Sequence, residues 1–419
     1  MVITAVAVGT RGDVEPIAEL GREMLRRGHA FSMLAQEKFR PLIESRGIRY
    51  IHLDGDADHV MQYLVTDYKG SLDFLTGMLR LHRENPRIME QTVQAVRGSD
   101  LVMYGLCAGF AYHACELLCI PCVRLFYSPF DRTDLYSLYD PGHRKPSVGR
   151  SYAMIEPGMN LLTCLTLNSW RASAGLPKWT LSSDYRMQNG RRILTFYPVS
   201  PLLMPPDPAW GDHIHVTGYW YHPEEDAAAY VPDAPLQAFL ESGNPPIFVG
   251  FGKAVSPELA ALQRMTVEAL KELRIRAVVQ ADQIAKADRD GDGCLHFIGD
   301  VPYSWLFSRV RAVVHHGGCT TNGLGIWAGC PTLVIPLALD QYYYGRTMHE
   351  LGLGPAPLYI RKKLCSKEQL KSALMELTDE RYARIAKALS ARIRTERGCT
   401  LAADAIEQFL HAANSAPQD

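Results

Sequence analysis

The sequence lacks an excess of either charge, a long apolar run and a phosphate-binding P-loop. Among its 419 residues, 44 Lys and Arg balance 45 Asp and Glu, so no general electrostatic field attracts nucleic acid or anionic lipid. No apolar run reaches the roughly 20 residues that span a bilayer, and the first residues lack the basic start of a signal peptide. The absence of a Gly-x-x-x-x-Gly-Lys-Ser/Thr motif excludes a P-loop NTPase. These absences favour a cytosolic protein without a transmembrane segment or a nucleic-acid partner.

Cysteine is present, but its spacing does not match the common zinc sites. The ten cysteines are scattered, and the pair Cys119 and Cys122 has no second Cys-x-x-Cys at zinc-finger spacing. In a reducing compartment such thiols are typically buried and unpaired. We therefore expect cysteines that pack in the core, and no metal site.

The alternation of apolar runs with helical patterns predicts an α/β fold. A β-branched and small apolar run over residues 2–8 is typical of a strand buried in a parallel sheet. A helix is expected to start near Pro16, further strand–helix units follow, and the alternation restarts with a strand at 247–251. The pattern predicts two doubly wound, Rossmann-like domains that face a cleft, and the length agrees with two domains.

Composition sets the predicted domain boundaries. The first domain is expected at 1–220 and the second at 247–380, and the stretch 221–246, rich in Pro, Glu, Asp and Ala, is the predicted linker. Helices are expected over 381–419, and they can pack back on the first domain. Ligands of doubly wound sheets bind at the carboxyl ends of the strands, so candidate site residues are sought where strands end.

The strongest such junction runs from Val313 to Asn322. An apolar strand ends in His315 and His316, two glycines follow, and a helix begins with hydroxyl residues. A helix N-terminus leaves backbone N–H groups unpaired and carries partial positive charge, so this junction could hold a phosphate. Thr321 could donate to that phosphate or simply cap the helix. The residues alone leave both interpretations open.

A second candidate pair, Asp340 and Gln341, follows the next strand along the chain. A carboxylate beside an amide suits the vicinal hydroxyls of a sugar, while Asp340 could equally be a helix N-cap. Near the amino terminus, Asp13 ends the loop after the first strand. It too could be a helix cap or a functional carboxylate.

Taken together, these segments resemble the nucleotide-sugar glycosyltransferases of the GT-B fold, most of all the bacterial antibiotic and sterol-type enzymes. The matching runs are Gly9 to Pro16, Gly28-His29, Phe39 to Leu42, Leu53 to Asp56, His215 to Trp220, Val249 to Gly252, Asp300 to Phe307, His315 to Gly318, Ala328 to Pro331 and Asp340-Gln341. The resemblance covers nearly the whole chain and is weakest over 60–200, where these families vary with their acceptor.

The resemblance implies an inverting, metal-independent transfer of a sugar from a UDP- or dTDP-sugar to a hydroxylated small molecule, with no cofactor besides the donor. The first domain is then expected to hold the acceptor, with Asp13 as the general base, and the second to hold the nucleotide. Val301 is expected to pair with the base through its backbone. The implied diphosphate ligands are His316, Gly318, Cys319, Thr320 and Thr321. Asp340 and Gln341 are expected to meet the sugar, and the donor side is completed by Thr10, Arg11, Gly252 and Lys253.

Three residues depart from the family pattern, all of them on the donor side. Lys253 stands where Ser or Thr is usual after the glycine, Thr320 replaces a glycine, and Tyr303 replaces His or Gln. Because Thr320 carries a Cβ, we expect no positive φ there. These departures leave open a catalytically silent relative that binds a nucleotide as a partner subunit. A sugar-nucleotide epimerase, which also combines a Rossmann-like fold with a sugar nucleotide, is a further alternative.

Overall fold

The computed structural model describes residues 1–56, 71–137, 148–252, 256–280, 293–360 and 365–415. The described residues divide into two compact α/β units, one formed by 1–221 with 397–415 and the other by 222–396. Among them, no helix is both long and apolar enough to cross a membrane.

The regular elements, in chain order, follow the predicted alternation of strands and helices. The strands are β1 (Val2–Val6), β2 (Ala30–Gln36), β3 (Arg49–Leu53), β4 (Leu101–Gly105), β5 (Cys122–Leu125), β6 (Met187–Gln188), β7 (Arg191–Arg192), β8 (Leu194–Tyr197), β9 (Ile214–Val216), β10 (Ile247–Gly250), β11 (Ala277–Gln280), β12 (Leu295–Phe297), β13 (Ala312–His315) and β14 (Thr332–Val334). The helices are α1 (Arg11–Arg26), α2 (Arg40–Ser45), α3 (Ser71–Glu84), α4 (Ile88–Val96), α5 (Ala111–Leu118), α6 (Val148–Ser173), α7 (Pro223–Ala228), α8 (Ala234–Glu241), α9 (Pro257–Glu272), α10 (Tyr303–Leu306), α11 (Cys319–Trp327), α12 (Gln341–Glu350), α13 (Lys367–Glu376), α14 (Glu380–Ile393) and α15 (Gly398–Ser415).

The first unit is built on a seven-stranded parallel sheet in the order β3-β2-β1-β4-β5-β8-β9. Strand β1 lies inside this sheet and is buried from Ile3 to Val6, which explains its largely apolar sequence. The order reverses between β1 and β4, which is the position where doubly wound sheets bind ligands. The short strands β6 and β7 form a separate antiparallel pair.

Helix α1 begins at Arg11, five residues before the start expected from Pro16. The reason is a capping box, in which the Thr10 hydroxyl accepts from the Gly12 N–H (3.0 Å) and the Asp13 carboxylate accepts from the Thr10 N–H (2.6 Å). Pro16 therefore lies inside the helix, in its second turn. The cap fixes Asp13 at the carboxyl end of β1.

The last helix, α15, packs on α1 in the first unit. Its first residue, Gly398, approaches the backbone so closely that an added Cβ would lie 2.3 Å from the carbonyl oxygen of Tyr219. Arg27 then pairs with Asp404 (2.7 Å) and Glu407 (2.9 Å) across the two helices. A bulkier residue at position 398 would therefore displace the start of α15 from the Tyr219 backbone and disturb its packing on α1.

The second unit is built on a five-stranded parallel sheet in the order β12-β11-β10-β13-β14. The stretch predicted as a linker, 221–246, contains helices α7 and α8 of this unit. One of its apolar side chains joins the core of the unit: Leu236 is 1% exposed in a cluster with Trp305, whose ring packs edge-on against Tyr230. Helix α14, predicted among the terminal helices, also belongs here, because the Ser390 hydroxyl donates to the Trp327 carbonyl (2.6 Å) at the end of α11.

Candidate functional site

Three adjacent strands of the second unit deliver candidate residues to one edge of the sheet. Gly252 follows β10, His316 and Gly318 follow β13, and Asp340 precedes the helix after β14. Because these parallel strands are neighbours in the order β10-β13-β14, their carboxyl ends lie side by side. The structure thus groups most of the predicted donor residues at this edge.

The His316 ring lies between two glycines. A Cβ added to Gly318 would lie 2.8 Å from His316 Nε2, and one added to Gly252, where φ is +75°, would lie 3.4 Å from Cε1. Burial lowers the pKa of His316 to about 4, so the ring is neutral at pH 7. Its buried Nδ1 has no hydrogen-bond partner among the described residues. A neutral imidazole carries one N–H, which can donate a hydrogen bond to a bound anion.

The same turn opens into helix α11 without a side-chain cap. The N-cap position is Gly318, which has no side chain to form a capping hydrogen bond. An uncapped N-terminus presents its backbone N–H groups and positive dipole end to a ligand. The suggestion that Thr321 caps the helix is wrong, because Thr321 is the third helical residue. Thr320 is helical too and needs no positive φ, as expected from its Cβ.

Asn322 holds this turn in place, a role that the sequence did not reveal. Its Nδ2 donates to the carbonyl oxygens of Gly317 (2.8 Å) and Gly318 (3.0 Å), and its side chain is fully buried. Gly317 has φ +92°, and an added Cβ would lie 2.6 Å from Val334 Cγ1. The signal in the sequence was an asparagine, a poor helix former, within the first turns of a predicted helix.

Cys319 and Gln341 both use their side chains inside the protein. The Cys319 thiol is 8% exposed, and its sulfur accepts from the Tyr344 hydroxyl at 3.2 Å. The Oε1 atom of Gln341 accepts from the backbone N–H groups of Leu337 (2.8 Å) and Ala338 (3.0 Å). A ligand can therefore meet the backbone of Cys319 and the Nε2 donor of Gln341.

Asp340 occupies the N-cap position of α12, but its side chain makes no capping hydrogen bond there. The preceding residue, Leu339, has φ +52°, an uncommon conformation for a residue with a Cβ. Such backbone strain is characteristic of functional loops. The loop between β14 and α12 is thus held in a specific shape by Gln341 and strained at Leu339.

Val301 lies after β12, half-buried beside the aromatic cluster of α10. Tyr303 donates from its hydroxyl to Gln280 Oε1 (2.6 Å) and stacks on Phe307 at 4.8 Å. This departure from the family pattern therefore has a structural role, since it joins α10 to the end of β11. Lys253, the cationic departure from the family pattern, lies outside the described residues.

In the first unit, Asp13 is held by the residues of its own turn. Its Oδ2 accepts from the Thr10 N–H (2.6 Å) and from the Thr10 hydroxyl (2.9 Å), and an added Cβ on Gly9 (φ +138°) would lie 2.4 Å from the same oxygen. Burial raises the pKa of Asp13, while the two hydrogen bonds from Thr10 oppose that rise. A carboxylate with a raised pKa is a stronger base than one on the surface.

Two other polar residues of the first unit bind acidic side chains: Arg11, beside this turn, and His29, at the opposite end of the sheet. Arg11 is exposed and binds Glu15 through Nε (2.9 Å) and through a second guanidinium nitrogen (2.6 Å). This predicted donor residue therefore makes an i,i+4 ion pair on the surface of its own helix. His29 precedes β2, at the amino end of the sheet, and its Nε2 pairs with Glu407 Oε1 (2.8 Å). His29 is therefore not an alternative base at the carboxyl edge.

A largely apolar cavity of about 590 Å³, open space at its mouth included, lies in the first unit beside the end of β4. Its lining residues are Met78, His82, Tyr104, Gly105, Leu106, Gly109, Phe110, Arg124, Phe126, Phe130, Met159, Leu162, Thr163, Thr166, Leu167 and Tyr185. Burial and the nearby Asp13 carboxylate raise the pKa of the Cys107 thiol, and Cys107 directly follows the lining residue Leu106. The cavity thus lies near the sheet edge that carries Asp13. Within the described residues, no cluster of His, Cys, Asp and Glu has the arrangement of a metal site.

Two family models match separate parts of the chain. The model described as the glycosyltransferase family 28 N-terminal domain matches residues 3–124. The model of the erythromycin biosynthesis protein CIII-like C-terminal domain matches residues 266–406. The first match includes Asp13, and the second includes the sheet edge around His316.

Curated relatives and solved structures agree with these models. The chain is 30% identical to a sterol 3-beta-glucosyltransferase of Yarrowia lipolytica over 447 aligned positions and 30% identical to one of Candida albicans over 437. These alignments take in 100% and 97% of this chain but only 29% and 28% of the relatives, so the chain spans less than a third of their length. Its structure is similar to that of the calicheamicin glycosyltransferase (TM-score 0.69, 17% identity, 100% of both chains). It is also similar to a spinosyn rhamnosyltransferase complexed with thymidine diphosphate (TM-score 0.67, 15% identity, 97% and 100% of the chains).

Proposed function

We propose, from the premise that this chain has the GT-B fold and carries the two domain types of GT-B glycosyltransferases, that it transfers a sugar to a hydroxyl group. The donor is a UDP- or dTDP-sugar, and the acceptor is a sterol or another natural product of lipid-like character. The transfer inverts the anomeric configuration and needs no metal. The curated relatives are named for sterol glucosylation, and a structural relative is complexed with thymidine diphosphate.

The observation that carries the proposal is the neutral His316 beside the uncapped start of α11. One imidazole N–H and the first backbone N–H groups of the helix can all donate to one diphosphate, and the dipole stabilises its charge. During the transfer, negative charge grows on the departing diphosphate. Hydrogen bonds to it strengthen in the transition state, which is how such a site accelerates the reaction.

The sugar is expected to meet the loop between β14 and α12. Gln341 Nε2 can donate to a sugar hydroxyl because its Oε1 is occupied by backbone N–H groups of that loop. The Asp340 carboxylate makes no capping bond to α12 and can accept from a neighbouring hydroxyl. Gly252 allows the donor to approach the backbone beside His316.

The acceptor is expected in the apolar cavity of the first unit, with its hydroxyl directed to Asp13. In a single displacement, the acceptor oxygen bonds to the anomeric carbon while the bond to the diphosphate oxygen breaks. The carboxylate of Asp13 takes the hydroxyl proton as this happens, and the diphosphate leaves with the electron pair. Burial helps, because it raises the pKa of Asp13 and so its basicity.

Two measurements test the proposal on the purified chain. A titration of UDP, dTDP and GDP is expected to show one preferred diphosphate, and His316→Ala is expected to weaken its binding by roughly 10- to 100-fold, the loss of one hydrogen bond to a charged group. Incubation with the matching sugar nucleotide and a sterol is expected to give a glycoside of inverted configuration. The matched control is Thr166→Val in the first unit, which should leave nucleotide binding unchanged.

The outcomes separate the alternatives. Nucleotide binding without transfer of the sugar by the chain alone would support the silent partner subunit. Unchanged nucleotide affinity in folded His316→Ala would contradict the donor site. Conversion of the sugar nucleotide to a stereoisomer would instead favour an epimerase.

A further inference from the structure

The cavity of the first unit is apolar, and most of its hydroxyl groups already have partners inside the protein. Thr166 Oγ1 donates to the Leu162 carbonyl oxygen of its own helix (2.8 Å). The hydroxyls of Thr163 and Tyr185 bond to each other, and Tyr185 also meets His113 Nε2 (3.2 Å). The hydrogen-bonding capacity of these hydroxyl groups is therefore used within the protein, without a ligand.

The charged and titratable groups of the cavity wall also leave it without net charge. The Arg124 guanidinium is buried and bonds to Asp131 Oδ1 (2.6 Å) and to Thr195 Oγ1 (2.7 Å). His82, on α3, also lines the cavity, and burial lowers its pKa to about 4, so the ring is neutral at pH 7. A ligand of this cavity is therefore expected to be uncharged, because an ion would enter an apolar space without a counter-charge.

Tyr104 differs from the other hydroxyl residues of the wall. It lies near the end of β4, it is 3% exposed, and its hydroxyl has no hydrogen-bond partner among the described residues. Buried polar groups almost always have a partner, and one left unpaired is costly. An unpaired hydroxyl in the wall of a cavity suggests that the missing partner belongs to a ligand.

We propose that the Tyr104 hydroxyl is the polar anchor of this cavity and that the cavity takes an uncharged, largely apolar compound with an oxygen placed to pair with it. The inference rests on the proposed function for one step. If Asp13 activates the hydroxyl that receives the sugar, that hydroxyl is a different oxygen, because Asp13 is not among the residues that line the cavity. The acceptor then carries two oxygens, one to be glycosylated and one to be bound by Tyr104. A sterol with a single hydroxyl would leave Tyr104 unpaired and bind more weakly.

A pair of steroids tests this without any sugar donor. Dehydroepiandrosterone and its deoxo analogue share the ring system and the hydroxyl and differ only in the ring-D ketone. Equilibrium binding to the wild-type chain is expected to favour the ketone by roughly 5- to 150-fold, the cost of leaving one buried hydroxyl unpaired. In Tyr104→Phe, which removes only that hydroxyl, the preference for the ketone is expected to be lost or reversed, because the ketone then has no donor in the cavity wall.

The matched control is Thr166→Val, which removes a cavity hydroxyl that already has a partner and should keep the ketone preference. Tyr104→Phe is expected to fold as well as the wild type, which thermal unfolding checks, since the lost group had no partner. An equal preference in Tyr104→Phe and wild type overturns the proposal, as does failure of both steroids to bind. Ketone-selective binding without sugar transfer counts against the proposed function and leaves the role of Tyr104 standing.

Discussion

Replacement of Asp13 by asparagine separates its two roles, the helix cap and the base. Asp13 is the third helical residue of α1, and its part in the capping box is to accept from the N-cap residue, Thr10. The amide oxygen of the new side chain can lie where Asp13 Oδ2 now accepts from the Thr10 N–H (2.6 Å), so this hydrogen bond can be kept. The amide cannot take a proton from the acceptor. General-base assistance is worth typically 10² to 10⁴ in rate, so we expect sugar transfer by Asp13→Asn to fall by roughly that factor.

The same substitution is expected to leave the protein at least as stable as the wild type at neutral pH. Burial raises the pKa of Asp13 above its ordinary value of 3.8, so the fold disfavours the charged carboxylate. The stabilisation that comes from burying the protonated Asp13 side chain is therefore complete below pH 3.8 and is lost as pH rises through the raised pKa. The uncharged amide of Asp13→Asn avoids that loss, so the stability of this variant relative to wild type should increase from about pH 4 upward.

Two assays and one control make the test sharp. Initial rates of glycoside formation across pH give the activity, and urea unfolding at several pH values gives the stability. The control Asp13→Ala also removes the base, but it leaves the Thr10 N–H without its acceptor, which should cost about 1–3 kcal/mol. A rate for Asp13→Asn within about tenfold of wild type would refute the role as base. A loss of stability equal to that of Asp13→Ala would refute the argument from the cap.

Three further predictions concern the turn that carries His316. Gly318→Ala should weaken diphosphate binding by roughly 10- to 100-fold, because the new Cβ would lie 2.8 Å from His316 Nε2; titration calorimetry measures this, and unchanged affinity would contradict it. Asn322→Ala should destabilise the fold by about 1–3 kcal/mol in urea unfolding, since the carbonyls of Gly317 and Gly318 lose their donor; an effect near zero would show that water replaces it. Burial lowers the pKa of His316 from 6.5 to about 4. Between these pH values His316 is protonated in the unfolded chain but neutral in the folded chain, so the folded state loses stability as pH falls. Wild type should therefore lose more stability between pH 7 and pH 5 than His316→Gln does, and parallel losses would argue against the lowered pKa.

Local patterns in the sequence predicted much of the fold and the place of the donor residues. Strand β13 is an apolar run, and two glycines and a helix follow it, so the junction at His316 could be located from neighbouring residues alone. The details of its capping could not. The helix starts two residues before Thr321 because Gly317 turns the chain sharply at φ +92°, and that turn is held by Asn322 from the next helical turn.

Boundaries that depend on distant contacts were predicted less well. The composition of 221–246 is typical of a linker, yet Leu236 is buried against residues some 70 positions further along the chain, in the cluster of Trp305. The division of the terminal helices likewise depends on which unit each one packs against. Ser390 bonds to Trp327, whereas Asp404 bonds to Arg27.

The sequence by itself determined the α/β class, the strand ends that carry Asp13, His316 and Asp340, and the resemblance to GT-B glycosyltransferases. These features are encoded by periodicity and by short motifs, in which each residue acts through its immediate neighbours. Only the tertiary structure decided which polar groups are paired and which are not. The burial of Asp13, the neutral ring of His316 and the Tyr104 hydroxyl, which has no partner among the described residues, follow from atoms brought close by folding. Desolvation sets the pKa and the cost of a missing hydrogen bond, and it depends on those atoms rather than on position in the chain.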